Sequence, residues 1–148
     1  MSNNYKFLVL TFEELTTIQL YEILYLREQV FNVEQDINSS DLDKIDYRST
    51  HVMIMKDEEL VGYCRLYEVN DLQAKIGRVV VHKNYRGQKL ATKLVSIALE
   101  ELKGLGYTEV LVRGQAHLVK LYCNCGFEVI SEVFQYEGIP HLDFSRKL

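Results

Sequence analysis

Ile76-Gly77-Arg78-Val79-Val80-Val81-His82-Lys83-Asn84-Tyr85-Arg86-Gly87-Gln88-Lys89-Leu90-Ala91 is the stretch that decides the fold. Its first six residues are an apolar, β-branched run and predict a strand. A glycine turn follows, and a helix is expected from Gly87 to Lys103. Leu90, Leu94, Ala98 and Leu102 recur every four residues with Ile97 beside them. Lys89, Thr92, Lys93, Ser96, Glu100 and Lys103 take the opposite, wet face. Gly104 and Gly106 close the helix. N–H groups at a helix start have no internal partner and lie at the positive end of the dipole, which suits phosphate oxygens. Gly87 lets main chain approach an anion without a Cβ in the way. Arg86 adds charge-assisted donors. Read alone, the segment is an anion cradle or an ordinary strand-to-helix turn. A P-loop would need Gly-x4-Gly-Lys-Ser/Thr, and a dinucleotide fold Gly-x-Gly-x-x-Gly; the sequence has neither.

Upstream, Lys6–Leu10 reads as a strand. Thr16 and Gln19 have capping-box spacing for a helix from Thr17 to about Phe31. Arg27 falls on an apolar face of that helix, among Leu20, Ile23, Val30 and Phe31. A charge there is costly unless it is paired or faces a polar cavity. Arg27 is therefore a structural ion pair or a substrate-pocket residue. Residues 33–49 form a polar, Asp-rich loop: a solvated loop or an acidic rim selecting a cationic amine. Strands at 51–55, 60–69 and 75–81 make an antiparallel meander. Downstream, 109–113 is a strand, 116–125 a short helix closed by Gly126, and 127–133 and 141–147 are strands. The order β-α-β-β-β-α-β-α-β-β implies an α/β fold. A single mixed, mostly antiparallel sheet flanked by helices is expected, forming one domain over 1–148.

The 148 residues carry a formal charge of −4, and their Lys and Arg are scattered. Neither nucleic acid nor membrane is an expected partner. The first residues have no apolar h-region, so no secretory signal is expected. Three cysteines, Cys64, Cys123 and Cys125, form no disulfide framework and point to a reducing, cytoplasmic compartment. Cys123-x-Cys125 lacks a second ligand pair, so no metal is expected.

Val79-x-Val81 followed by Tyr85-Arg86-Gly87-x-x-x-Ala91 resembles the acetyl-CoA motif of the GCN5-related N-acetyltransferase (GNAT) superfamily, Arg/Gln-x-x-Gly-x-Gly/Ala. Lys89 stands where the central Gly usually is. Gln115, Leu118, Tyr122 and Gly126-Phe127 keep the spacing of the family's second motif, Asn-x-x-Ala-x-x-x-Tyr-x-x-x-Gly-Phe, with two residue types changed. A narrower resemblance spans nearly the whole chain. Leu26-Arg27-x-x-Val30-Phe31-x-Val33-Glu34-Gln35, Gly77-Arg78-Val79, Gln115-Ala116-His117 and Gly138-Ile139-Pro140-His141 are similar to the ElaA-like branch, which also carries Lys at position 89.

The resemblance implies a GNAT fold and an N-acetyltransferase using acetyl-CoA as co-substrate, with a small-molecule or peptide amine as acceptor. A monomer or a homodimer fits equally. Strands four and five would splay to admit the pantetheine arm against Val79, Val80 and Val81. Arg86, Gly87, Gln88, Lys89, Leu90 and Ala91 would hold the diphosphate, with Gln115 and Tyr122 completing the cofactor site. A strand-four N–H would polarise the thioester carbonyl. Tyr122 would meet the leaving thiolate, or serve only as a core tyrosine. The base is His141, then Glu34, then His117, or a water held by main-chain carbonyls. Arg27, Glu34, His117 and His141 are the candidate acceptor contacts. A non-catalytic acyl-CoA-binding domain remains the alternative.

Overall fold

The computed structural model describes residues 4–148. Its strands are β1 (Tyr5–Thr11), β2 (Thr50–Lys56), β3 (Glu59–Glu68), β4 (Gln73–Val81), β5 (Glu109–Gln115), β6 (Glu128–Val129), β7 (Phe134–Tyr136) and β8 (Ile139–Lys147). The helices are α1 (Thr17–Arg27), α2 (Leu90–Gly104) and α3 (Val119–Asn124). One sheet runs β1-β2-β3-β4-β5-β8-β6, and β7 pairs with β8. Every pairing is antiparallel except β4 with β5. The expected mixed, mostly antiparallel sheet flanked by helices is what forms.

Strand alternation divides the core between the two faces. Val61, Cys64 and Leu66 of β3, with Ala74 and Ile76 of β4, pack against Leu94, Val95, Ala98 and Leu102 of α2. Leu60 and Tyr63, with Val80, turn the other way onto Ile23, Leu26 and Val30. Burying a leucine or valine of this kind contributes about 1.5–3 kcal/mol.

The differences from the sequence reading are local and have physical causes. The capping box at Thr16 and Gln19 is present. The first helix, however, does not stop at Phe31: it loosens into a π-helical turn over Glu28–Glu34, closed by Gln35 N–H to Val30 O at 2.9 Å. α2 starts at Leu90 rather than Gly87, because Gly87 (φ 82°) and Lys89 (φ 60°) are left-handed. The expected strand at 127–133 shrinks to β6. Its sequel β7, unforeseen, pairs with β8 through a two-residue turn at Glu137 and Gly138, both at positive φ. Positive φ at both positions matches the right-handed strand twist in a tight hairpin. This hairpin sets Phe134 and Tyr136 beside His141.

Candidate active site

The parallel pairing of β4 with β5 runs from Gln73↔Glu109 to Ile76↔Val112 and ends there. From Gly77 onward the two strands diverge, so β4 has no partner on that side among the described residues. On its other side β4 bulges: Tyr63 pairs with Val80 and Arg65 with Gly77, leaving Arg78 and Val79 opposite Cys64. Arg78 sits at φ 54°, a costly conformation for a bulky non-glycine residue. Its guanidinium is tied down by Asp41, with Nε 2.8 Å from Oδ1 and Nη2 3.0 Å from the main-chain oxygen. The divergence opens a cavity of about 920 Å³, lined by Val79, Val80 and Val81 on one side and Gly114 and Gln115 on the other.

At one end the cavity reaches the Arg86–Ala91 loop. No main-chain carbonyl pairs with the N–H groups of Gly87 through Thr92 among the described residues; the first helical bond is Lys93 N–H to Lys89 O at 3.1 Å. A Cβ added at Gly87 would meet nothing within 4 Å, so open space lies over this backbone. Left-handed Gly87 and Lys89 turn successive donors into one concavity, a nest for anionic oxygens. The helical conformation expected at Lys89, inside the helix placed at Gly87–Lys103, is corrected by this geometry, and the loop still fits a diphosphate. The Gln88 side chain turns away and accepts a hydrogen bond from the Tyr5 hydroxyl, which leaves only its main chain for the cradle. Gly87, Lys89, Leu90, Ala91 and Thr92 line the cavity, the last unforeseen.

Tyr122 lies across the divergence and is 2% exposed. Burial pushes its phenol well above the usual value, and no hydrogen bond contributes to that shift. The ring rests on β5 at Gly114, where an added Cβ would come within 2.7 Å of the ring. An isolated Gly in a strand signals such a close approach; Gly114 was the available clue and went unread.

His141 pairs in register with Gln115, lines the cavity, and holds Nδ1 2.7 Å from the Ile139 carbonyl. A carbonyl can only accept, so in the neutral ring Nδ1 carries the proton and Nε2 keeps the lone pair. His117 is exposed and bonds Gln115 Oε1 at 2.8 Å; Gln115 in turn donates to Gln35 at 2.9 Å. Glu34 is clasped by Arg86 at 2.5 and 2.9 Å. Those hydrogen bonds hold its carboxyl below the usual range, against the small opposing effect of burial. A carboxylate so placed is a poor base, which removes Glu34 from the ranking.

Arg27 is corrected as an acceptor contact. It is 0% exposed and spans Asp41 and Asp46, each at 2.7 Å. Most of the Asp-rich loop is exposed, as a solvated loop would be, but three of its aspartates form no open acidic rim. Asp41, Asp43 and Asp46 fold inward onto Arg27, Arg65 and Arg78.

The Acetyltransferase (GNAT) domain profile matches residues 24–148. The chain belongs to the GNAT acetyltransferase family. It is similar to the protein ElaA of Escherichia coli, 36% identical over 91% of this chain and 92% of that one. The crystal structure of Escherichia coli ElaA superposes with a TM-score of 0.90 over 96% of this chain and 99% of that one. An acyl-CoA N-acyltransferase from Pseudomonas aeruginosa, 34% identical, superposes with the same TM-score over 97% and 99%. The GNAT sheet accounts for the divergence of β4 from β5, and the family makes the chain an acyl-CoA-dependent acyltransferase.

Proposed function

We propose that this protein moves an acetyl group from acetyl-CoA to a primary amine of its acceptor by direct attack. The observation that carries the reading is the row of N–H groups from Gly87 to Thr92 without main-chain partners among the described residues, opening onto the same cavity as Tyr122 and His141. In this reading Arg86 and the loop main chain hold the diphosphate, and Val79, Val80 and Val81 with Gln115 receive the pantetheine arm. The thioester supplies the reactive bond when bound. The chain supplies position and proton transfer.

His141 Nε2 takes the proton that the amine sheds. Tyr122 offers its hydroxyl as a hydrogen bond to the departing sulfur, and its raised pKa keeps the phenol neutral while the thiolate leaves. Burial of the ring against Phe127 and Phe144 fixes the hydroxyl's direction.

Calorimetric titration with acetyl-CoA followed by turnover of the Tyr122→Phe variant tests the assignment. Affinity stays close to the parent's while turnover falls by about 10²–10⁴-fold. Unchanged turnover with chemistry rate-limiting would reduce Tyr122 to packing, and absence of acetyl-CoA binding by the parent would remove the whole reading.

A further inference from the structure

On the sheet face away from α2, the floor beside the divergence is built from alternate residues of neighbouring strands. Arg65 and Tyr67 come from β3, Lys75 from β4 and Arg113 from β5, and all four line the cavity. Asp143 of β8 pairs in register with Arg113. The arginines here are matched by carboxylates and the lysine is not. The guanidiniums of Arg27, Arg65, Arg78 and Arg113 face the carboxylates of Asp41, Asp43, Asp46 and Asp143 one for one, every arginine within 3.0 Å of a carboxylate oxygen. Lys75 is the unpaired cation of this floor: no carboxylate lies within salt-bridge distance of it among the described residues. Glu109, two positions before the Leu111 that pairs with Lys75 on β5, is already taken by Ser145, Gln73 and Lys147. Burial lowers the Lys75 pKa, and the Arg113 guanidinium adds to that, while the Asp143 carboxylate opposes it from beyond salt-bridge distance.

A second donor is left over beside it. Arg65 is 2% exposed, and its Nε has no hydrogen-bond partner among the described residues. A Cβ built on Gly77 would lie 3.9 Å from that Nε, so the orphan donor lies over the residue where β4 and β5 part. A buried donor without a partner is costly, so the Arg65 Nε calls for an oxygen that the described residues do not supply, and the Lys75 ammonium, which water reaches, can share it. Phe134 and Tyr136 stack over Arg113 at 5.0 and 5.2 Å, giving the floor an apolar wall.

We infer that the acceptor is an amine that also carries a carboxylate, held at Lys75 and the free Nε of Arg65 on the face of β3, β4 and β5. This rests on the acetyltransferase reading and reverses the cationic-amine preference that the Asp-rich loop suggests in sequence. Lys75 is two residues, roughly 7 Å of strand, from the point of divergence at Gly77. The carboxylate is therefore separated from the reacting amine by only a few bonds.

The test is a set of matched pairs, glycine, β-alanine and γ-aminobutyrate, each against its carboxamide, with spermidine as a cationic control. Turnover is read by CoA release, and binding to the CoA-loaded protein by calorimetry. At least one carboxylate member is preferred over its carboxamide by about tenfold or more in kcat/KM or affinity, the scale of one charged hydrogen bond. Lys75→Met abolishes that preference while leaving acetyl-CoA affinity unchanged, and Lys75→Arg restores part of it. A preference for spermidine or for the carboxamides overturns the inference, as does a preference that survives Lys75→Met. So does a protein that binds acetyl-CoA yet neither binds nor acetylates any carboxylate member. Failure to bind acetyl-CoA is a separate result and counts against the acetyltransferase reading instead.

Discussion

Arg27 and Arg86 make nearly the same bonds in opposite surroundings. Arg27 is closed off from water, with Nε and Nη1 each 2.7 Å from a carboxylate oxygen and Nη2 3.2 Å from the Asp41 carbonyl. Its guanidinium also lies 5.8 Å from the centre of the Tyr63 ring. Arg86 grips Glu34 with two bonds and the Val81 carbonyl with a third at 3.1 Å, but about two-fifths of each side chain of the pair is exposed. Burial decides what each pair can do. Breaking the first strands charge in a poor dielectric, so it is scaffold, and it fixes the loop that holds Arg78 and the β4 bulge. Breaking the second returns both groups to water at little cost, so a phosphate can replace Glu34.

The largest effect that separates the two regions is on stability. Asp46 is shared by Arg27 at 2.7 Å and Arg65 at 3.0 Å. Asp46→Ala leaves both buried guanidiniums short of a partner and costs about 3–5 kcal/mol. Chemical denaturation measures it; a cost under 1 kcal/mol would make the cluster no more structural than the surface pair. Acid gives a second handle. Burial alone would raise the Asp43 pKa, but its bonds with Arg65 outweigh that and hold it at about 2, below the ordinary 3.8. Asp46 shifts the same way. Carboxyls depressed on folding stabilise the fold fully above their unfolded values and lose that contribution as pH falls through the folded ones. Stability therefore declines from near pH 4 toward pH 2. A denaturation midpoint flat across that window would contradict the pairing.

How far these features were legible follows the same division. Local signals gave the strand-to-helix turn, the α2 face and the capping box, since each is written in residues a few positions apart. Arg27 on an apolar face announced a paired charge, but its partners lie 14 and 19 residues away and no periodicity names them. The inward turn of Asp41, Asp43 and Asp46 in the Asp-rich loop was not legible, because composition carries no record of the arginines on α1, β3 and β4 that hold them. β7 is three residues long and depends on β8 for its pairing, so no run of sequence marks it. Glu34 was ranked as a base because its spacing from Arg86, 52 residues, hides their contact. Lys75 was invisible as a site residue for the converse reason: what sets it apart is a missing partner.

The next effect tests whether Arg86 is exchangeable. Arg86→Ala removes a charged donor from the phosphate cradle and weakens acetyl-CoA by about ten- to a hundredfold, equivalent to 1.5–3 kcal/mol. Its effect on folding stability is within about 1 kcal/mol, as for an exposed pair. An Arg86→Ala protein with normal acetyl-CoA affinity would detach the guanidinium from the site. One that unfolds would put Arg86 in the same class as Arg27.

The smallest effect has the sharpest sign. Glu34 occupies the Arg86 guanidinium with both carboxylate oxygens, so binding a diphosphate there requires the clasp to open or be shared. Glu34→Gln keeps the shape and removes the charge, and it takes away the competitor. An exposed pair of this kind is worth about 0.2–1 kcal/mol, so acetyl-CoA should bind about 1.4- to 5-fold more tightly in the variant. The gain shrinks as salt is raised, because screening already weakens the clasp in the parent. Were Glu34 the general base, the same substitution would leave affinity alone and lower turnover by about 10²-fold or more. The two roles thus move different quantities in opposite directions. Calorimetry at two salt concentrations, paired with turnover, separates them: tighter binding with sustained turnover identifies Glu34 as the group that holds Arg86 until the phosphate arrives.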